Sequence, residues 1–186
     1  MRILGISGSL RRGSHNRKLI RAASGLLPPE VELVEWDGLA GLPAFDEDLE
    51  NTPPEAVRAF FAVIEGADAL LIATPEYNAS LPGALKNAID WASRPFPENV
   101  LRYKPTAVVG ASTGLFGAVW AQAEVRKTMK ASGAHVLEDE LPVGMADYAF
   151  ADDQDALSDP ELTARLKDLL GDLVREVTSP VEASSS

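Results

Sequence analysis

Short apolar runs alternate with amphipathic segments along most of the chain. Five runs predict buried β-strands because they are rich in Val, Ile, Leu and Ala and end in turn residues: RILGIS, VELVEW, ADALLIATP, PTAVVGAS and AHVL. After each run, apolar residues recur every three or four positions, which predicts helices over residues 16–27, 54–64, 81–92, 118–129 and 158–177. The pattern therefore predicts five strand–helix pairs.

This alternation predicts the fold class. Successive strands joined by helices require right-handed crossovers, so we expect an α/β fold: a doubly wound, five-stranded parallel sheet with helices on both faces. Residues 37–54 are turn-rich and acidic, and we expect a long loop there. Nothing in the pattern indicates a second domain, so we predict one domain over residues 1–178 and a disordered tail over 179–186.

Composition narrows the classes of function. The chain has 186 residues, no cysteine and a net charge of -11, which excludes disulfides and thiolate sites and argues against a nucleic-acid or anionic-membrane partner. No apolar run approaches the roughly 18 residues that a membrane span needs. The first residues lack the pattern of a secretion signal, so we expect a cytoplasmic protein.

Charge is unevenly distributed along the chain. Residues 1–29 contain no Asp or Glu but hold six of the 17 Lys and Arg residues, whereas residues 138–161 hold nine acidic residues and no Lys or Arg. A basic opening segment in an acidic protein predicts an anionic ligand near the first turn. The alternative is chance clustering on a solvated helix. The acidic segment is more typical of a solvated loop than of a metal site.

The turn after the first strand, SGSLRRGSHN, is rich in groups that bind phosphate. Its serines and Asn16 carry polar side chains, its glycines allow a close backbone approach, and Arg11 offers a planar charged fork. The following helix adds free amides and a positive dipole end. We therefore predict a phosphate cradle, with an ordinary capped strand–helix turn as the alternative.

Other motifs fit this turn poorly. The P-loop pattern is absent because no GK[ST] follows a glycine at the required spacing, and the three-glycine dinucleotide pattern is absent as well. A serine hydrolase elbow would need glycine at position 9, where Ser9 stands.

The turns after the third and fourth strands predict a site for a flat ring. In TPEYNASLPG, Tyr77 can lie against a planar group and the turn's backbone can contact the edge of a heterocycle. In ASTGLFGA, Gly114 and Gly117 allow a second close backbone wall. The alternative for the first of these turns is a helix entry with Tyr77 on the surface. In parallel sheets ligands bind beyond the carboxyl ends of the strands, so the three turns together predict a mononucleotide site for a large planar base.

Three motifs carry a family resemblance: GSLRRGSHN, PEYN and the downstream DWAS. With them the chain resembles the NAD(P)H-dependent FMN reductase family, which has a flavodoxin-like fold and includes chromate, quinone and azo-dye reductases. The resemblance extends from about residue 1 to residue 175. It implies FMN as cofactor, NADPH or NADH as co-substrate, and a homodimer or homotetramer.

The resemblance also implies the residues of the site. Contacts to the FMN phosphate are expected from Ser9, Arg11, Ser14 and Asn16. Contacts to the isoalloxazine ring are expected from Pro75, Glu76, Tyr77 and Asn78, with an opposite wall formed by Ser112, Thr113, Gly114 and Gly117. The last loop departs from the family pattern of a glycine pair followed by arginine: Phe116 precedes Gly117, and Trp120 stands near the arginine position.

The implied enzyme needs no catalytic side chain of its own. Flavin would accept a hydride from the nicotinamide and pass electrons to a small acceptor such as a quinone, an azo dye, chromate or free flavin. The two histidines are isolated in the sequence, and we expect neither a metal nor an acid–base pair. Selection of NADPH would need a base near the 2′-phosphate, for which the candidates are Arg12, Arg94 and Arg102.

Two other functions stay open at this point. A flavodoxin-type electron carrier would bind FMN without a nicotinamide site, and its acidic surface would be equally natural. A flavin-free interaction domain is the other alternative. The PEYN turn and the arginine-rich first loop favour the reductase.

Overall fold

The computed structural model describes residues 1–151 and 155–179, and its centre is a five-stranded sheet. The strands, in chain order, are β1 (Arg2–Ser7), β2 (Glu32–Trp36), β3 (Ala69–Thr74), β4 (Pro105–Ala111) and β5 (His135–Val143). Their order across the sheet is β2-β1-β3-β4-β5, and every neighbouring pair is parallel. This is the flavodoxin-like order of a doubly wound sheet, so the predicted fold class is confirmed.

Five α-helices follow the predicted positions within a few residues. They are α1 (His15–Ser24), α2 (Glu55–Glu65), α3 (Gly83–Ala92), α4 (Val119–Ala131) and α5 (Pro160–Thr178). The start of α5 shows why the sequence locates these ends well. The Asp159 side chain accepts a hydrogen bond from the Glu161 amide at 2.8 Å, and Pro160 occupies the first turn, where its missing amide costs nothing.

The strands alternate between two apolar layers, which accounts for the helices on both faces. In β3, Ala69, Leu71 and Ala73 face the layer formed with α1 and α5, whereas Leu70 and Ile72 face the layer formed with α2, α3 and α4. All five side chains are buried. A strand that is buried on both faces reads as a continuous apolar run, and this is why β3 is the clearest strand in the sequence.

The fifth strand is longer than predicted. The sequence predicts only the four residues of AHVL, but β5 continues to Val143. Leu141 and Val143 are buried, while residues 138 and 139 are exposed at the edge of the sheet. The register also shifts between Thr106 and Val108 of β4. An edge strand with charged side chains and an irregular register lacks the apolar run by which the inner strands are recognised.

The ends of the predicted domain are only partly described. The expected loop over 37–54 contains two short 3₁₀ segments, Gly38–Gly41 and Glu47–Leu49. Ser179 follows the end of α5, and the rest of the predicted tail lies outside the described residues. Within the described ranges, none of the helices combines the length and apolar character that a membrane crossing requires.

Candidate functional site

The carboxyl ends of β1, β3 and β4 surround an open cavity. Its walls come from the three predicted turns and are formed by Ser9, Arg11, His15, Asn16, Pro75, Glu76, Tyr77, Ala111, Ser112 and Thr113. Its volume is about 130 Å³, which is below the roughly 300–1,000 Å³ usual for small-molecule sites. The cavity is about half open to solvent, so a flat ligand that lies in it would be covered on one side and accessible on the other.

The β1–α1 loop, residues 8–14, presents donors that have no protein acceptor. Within the described part of the chain, no hydrogen bond is made by four of its amides, those of Leu10, Arg12, Gly13 and Ser14. The Ser9 hydroxyl accepts only a long bond, 3.4 Å, from the Arg11 amide, and its own proton can donate elsewhere. Open amides that lead into a helix N-terminus are suited to an anion.

Positive charge near the cavity is concentrated in this loop. Across residues 1–151 and 155–179, no carboxylate lies within ion-pair distance of Arg11 or Arg12. By contrast, Arg17 and Arg21 both pair with Glu35, at 3.3 and 3.1 Å, and the hydrogen bond to Glu35 raises the pKa of Arg21. Much of the basic opening segment is thus neutralised within the protein, and the loop keeps its charge for a ligand.

Asn16 joins α1 to the end of β4. Its amide nitrogen donates to the Ala111 carbonyl and its amide oxygen accepts from the Ala111 amide, both at 2.9 Å, and the residue is 2% exposed. These two bonds occupy the side chain's acceptor and one of its two donor hydrogens. Asn16 therefore connects the first and fourth strand loops, in addition to lining the cavity.

The β3–α3 connection, residues 75–82, forms a tight turn beside the cavity. The Tyr77 amide donates to the Ser80 carbonyl at 3.0 Å, and the Ser80 amide donates to the Tyr77 carbonyl at 3.2 Å. Asn78 and Ala79 have φ values of 54° and 60°, a left-handed conformation that Asn tolerates better than most residues. The turn leaves Tyr77 half-exposed at the cavity wall, where its ring can contact a planar ligand.

Glu76 connects this turn to the start of α4. Its carboxylate accepts from the amides of Trp120 and Ala121, at 3.1 and 3.2 Å. The residue before the helix, Ala118, has a left-handed φ of 61° and provides no side-chain cap. Glu76 therefore caps a helix that begins more than forty residues further along the chain.

The β4–α4 loop, residues 112–118, packs backbone to backbone against the end of β5 and the loop that follows it. At Gly117, where φ is +57°, a Cβ would lie 2.5 Å from the Pro142 carbonyl carbon, and a Cβ at Gly144 would overlap the Leu115 carbonyl. The buried Gln122 side chain donates to the Gly117 carbonyl at 2.9 Å. Only glycine fits both contact points, so the cavity wall is a closely supported piece of backbone.

The geometry agrees with what known proteins indicate. The model of the NADPH-dependent FMN reductase family matches residues 1–147. The chain belongs to this family.

Individual relatives agree with the assignment. The chain is 47% identical over 152 residues to an NAD(P)H-dependent FMN reductase of Pseudomonas aeruginosa, covering 81% of each protein. It is 44% identical over 126 residues to a 2-hydroxy-1,4-benzoquinone reductase of a Burkholderia species, covering 68% of each. Its fold matches FerB, a flavoenzyme NAD(P)H:(acceptor) oxidoreductase of Paracoccus denitrificans, with a TM-score of 0.83, 33% identity and coverage of 95% of this chain and 97% of FerB. The resemblance seen in the motifs is confirmed.

Most residues predicted from the FMN reductase motifs line the cavity, but four do not: Ser14, Asn78, Gly114 and Gly117. Ser14 is buried and caps α1, since its hydroxyl accepts from the Arg17 amide at 3.2 Å. Asn78 and Gly117 supply left-handed turn positions. Direct contact with FMN stays a prediction for all twelve residues, both the eight that line the cavity and these four.

Two cavity residues, Ala111 and His15, were not predicted. The His15 Nε2 lies 3.0 Å from the Asp147 carboxylate, and its ring stacks on Phe150 with 5.9 Å between centroids. Only 15% of its side chain is exposed. The partners of His15 come from the chain that follows β5, more than 130 residues away, so no local pattern in the sequence could reveal them.

The residues of the cavity fit the cofactor of the FMN reductase family. FMN carries a dianionic phosphate, a polar chain and a large flat ring. The β1–α1 loop offers open amides, the Ser9 hydroxyl and Arg11 for the phosphate, and Tyr77 offers an aromatic surface for the ring. The backbone of residues 112–113 lies at the same cavity and can meet the polar edge of the ring. The charged and amide donors suit the phosphate end of FMN, and the aromatic surface suits its ring end.

Proposed function

We propose that the chain binds FMN in this cleft, takes a hydride from NADPH or NADH and reduces small acceptors such as quinones. One observation carries the proposal: the open amides of the β1–α1 loop, and Arg11, which has no carboxylate partner in the described residues, lie at the same cleft as Tyr77 and the 112–113 backbone. Family membership supports the redox activity, and the quinone reductases among the relatives support the acceptor class.

In this proposal the phosphate lies at the β1–α1 loop. Arg11 supplies a charge-assisted hydrogen bond, Ser9 donates its hydroxyl proton, and the amides of residues 12–14 add neutral donors. The N-terminal end of α1 contributes a positive dipole at the same place. These groups hold one end of the cofactor and leave the reacting ring to the other loops.

The ring then lies between the Tyr77 turn, which is the β3–α3 connection of residues 75–82, and the β4–α4 wall, which is the backbone of residues 112–118. Bound FMN supplies the hydride chemistry, while the protein binds, orients and excludes water. Tyr77 would lie against the ring, and the glycine-supported backbone of residues 112–118 would support it from the β4–α4 side. The cleft leaves one side of a flat ligand open, so nicotinamide and acceptor would use the same face in turn.

Selection of NADPH over NADH would need a base near the 2′-phosphate. The positions of the three candidate arginines in the fold favour one of them for this contact. Arg94 follows the end of α3, and Arg102 precedes β4, so both lie toward the amino end of the parallel sheet. Arg12 lies at the carboxyl end, in the loop that borders the cleft. Their positions favour Arg12 over Arg94 and Arg102 for contact with a 2′-phosphate.

The proposed assembly is a homo-oligomer, either a homodimer or a homotetramer. Large apolar side chains are exposed around the cleft, among them Leu115 at 74%, Phe116 at 63% and Tyr148 at 77%. Such side chains are costly to leave in water. Sedimentation velocity of the FMN-loaded protein should give a species larger than the 19.9 kDa chain; a monomer at all concentrations would contradict the proposal. The expected cytoplasmic location and the lack of a nucleic-acid partner stay predictions from composition.

The decisive experiment on function is stopped-flow mixing of FMN-loaded protein with NADPH and, separately, with NADH. The proposal predicts rapid bleaching of the flavin absorbance, followed by reoxidation when a quinone is added. In steady-state turnover, initial-rate plots at several quinone concentrations should give parallel lines. A flavodoxin-type carrier, for which the reductase relatives give no support, would stay oxidised on this timescale. A purified protein that binds no FMN would contradict the proposal altogether.

A further inference from the structure

The start of α4 has no side-chain cap from its own neighbourhood; only the Val119 amide finds a local acceptor, the Phe116 carbonyl at 3.2 Å. Ala118 precedes the helix in a left-handed conformation, it makes no side-chain cap, and the first turn contains no acidic residue. The first amides of a helix need acceptors from outside the helix. At α4 the acceptor is the Glu76 carboxylate, which binds the amides of Trp120 and Ala121 at 3.1 and 3.2 Å.

Glu76 differs from the other acidic cap of a long helix in the molecule. Asp159 caps α5 from the adjacent position and does not line the cleft. Glu76 belongs to the β3–α3 connection and lines the cleft, so its bonds cross from one wall of the site to the other. The cap therefore fixes the distance between two loops as well as the end of a helix.

Two other side chains support the same wall at different points. Asn16 holds Ala111, where β4 ends, through two bonds of 2.9 Å, and Gln122 holds the Gly117 carbonyl at 2.9 Å. Glu76 holds the first turn of α4, directly after the loop. Of these three side chains, only Glu76 reaches the wall from the turn that carries Tyr77.

We propose that Glu76 is a positioning residue for the ring end of the cleft: its carboxylate holds the β4–α4 wall at a fixed distance from the Tyr77 turn. This inference rests on the proposed function, because it assumes that the flavin ring lies between these two walls. Phosphate binding at the β1–α1 loop depends on other residues. Loss of Glu76 should therefore loosen the ring more than it weakens FMN binding.

The chemistry of the cap explains why a carboxylate stands at this position. One charged oxygen receives two amides at the positive end of a helix, where negative charge is favoured. A glutamine keeps an acceptor oxygen at the same distance but loses the charge. An alanine removes both, and the wall then has no link to the Tyr77 turn.

The test compares Glu76→Ala and Glu76→Gln with Asp159→Ala, which removes an acidic helix cap away from the cleft. Three quantities are measured: the thermal midpoint of FMN-free protein, the FMN dissociation constant, and the rate of flavin reduction by NADPH together with the visible circular dichroism of bound FMN. Both alanine variants should lower the thermal midpoint by about 2–4 °C.

The flavin measurements separate the two variants. Glu76→Ala should slow flavin reduction about ten- to a hundredfold, because small displacements of a reacting atom have effects of this size. It should also alter the circular dichroism of the flavin, while the FMN dissociation constant rises less than about fivefold. Glu76→Gln should recover most of the rate, and Asp159→Ala should match the parent in every flavin measurement.

The contradicting results are distinct. If Glu76→Ala loses thermal stability but reduces flavin at the parental rate with a parental spectrum, Glu76 is only a helix cap and the inference is wrong. If Glu76→Ala does not fold, Glu76→Asp decides, because its carboxylate is one methylene too short to reach the Trp120 and Ala121 amides from the same place. A parental spectrum and rate for Glu76→Asp, beside a lowered thermal midpoint, would also overturn the inference. A parent protein that binds no FMN would overturn the proposed function first, and this inference with it.

Discussion

The β1–α1 loop and the β4–α4 loop border the same cleft but are built in opposite ways. In the described ranges, the first keeps four of its amides without an acceptor and two arginines without a carboxylate partner; Arg11 donates only to the Gly13 carbonyl of the same loop, at 3.3 Å. The second is held by side chains from α1, from the β3–α3 turn and from α4, and by glycine contacts with the end of β5 and the loop after it. The first loop has donors available for a ligand, whereas the backbone of the second is fixed by contacts within the protein.

This difference between the two loops shows that the sequence motifs contain more than ligand contacts. GSLRRGSHN and PEYN both suggest rows of ligand contacts, yet each contains residues of two kinds. Arg11 and Tyr77 direct their side chains to the cleft region without strong partners, whereas Asn16 and Glu76 are bonded to the β4–α4 wall. A motif of this type therefore contains residues that support the backbone of the site as well as residues that can contact a ligand.

The largest effect is expected at the supporting glycine. Gly117→Ala would place a Cβ 2.5 Å from the Pro142 carbonyl carbon at a φ of +57°, so we expect a loss of roughly 4 kcal/mol in the free energy of unfolding. Gly114→Ala is the matched control, because its Cβ would meet only Ser112 Oγ, at 3.8 Å. Chemical denaturation of both variants measures the difference. Equal stabilities would show that the wall is not closely supported.

The next effect concerns Asn16. Asn16→Ala leaves the buried Ala111 carbonyl and amide without partners, which should cost about 3 kcal/mol in the FMN-free protein. Ser9→Ala is the control within the same motif, since the Ser9 hydroxyl accepts only a 3.4 Å bond. Denaturation curves without FMN check this. A stability of Asn16→Ala close to that of Ser9→Ala would remove the distinction between support and contact.

Tyr77 should affect rate more than affinity. Tyr77→Ala removes the aromatic wall of the cleft, and we expect flavin reduction to slow roughly a hundredfold, or about 2.7 kcal/mol in barrier height. Tyr77→Phe keeps the ring and should stay near the parental rate. Stopped-flow reduction by NADPH measures both variants. If Tyr77→Ala reduces flavin as fast as the parent, the turn is only a helix entry and the ring binds elsewhere.

The smallest effect is expected at Arg12. An exposed charge pair contributes about 0.2–1 kcal/mol, so Arg12→Ala should raise the KM for NADPH by about two- to fivefold and leave the KM for NADH unchanged. Arg102→Ala, at the opposite end of the sheet, is the control. An equal rise for both nicotinamides would separate Arg12 from the 2′-phosphate.

The inner part of the fold could be predicted because its signals are local. β3 contains an unbroken apolar run from Ala69 to Ala73, and Asp159 with Pro160 marks the start of α5. The far half of β5 could not be predicted, since its polar residues lie at a solvent-facing edge and only Leu141 and Val143 enter the core. Periodicity identifies segments that are buried, and edge strands are only half buried.

The position of the candidate cleft could be predicted from the sequence. Which of its residues are bonded to other parts of the protein, and which are open to a ligand, could not. Polar residue types in GSLRRGSHN fit a phosphate equally well whether or not they are already bonded. That Asn16 binds Ala111, and that His15 meets Asp147, depends on contacts between residues 95 and 132 positions apart. Such pairs follow from the sheet order, which brings the loops of β1, β4 and β5 to one end.

We expect the β1–α1 loop to bind the cofactor and to contribute little to the stability of the cleft. The most direct test is titration of FMN into Arg11→Ala, with the thermal midpoint of the FMN-free variant measured beside that of Asn16→Ala. The account predicts an FMN dissociation constant raised about ten- to a hundredfold, as for the loss of a charged hydrogen bond, and a thermal midpoint equal to that of the parent, while Asn16→Ala melts earlier. An Arg11→Ala variant that binds FMN as tightly as the parent, or that melts as early as Asn16→Ala, would contradict it.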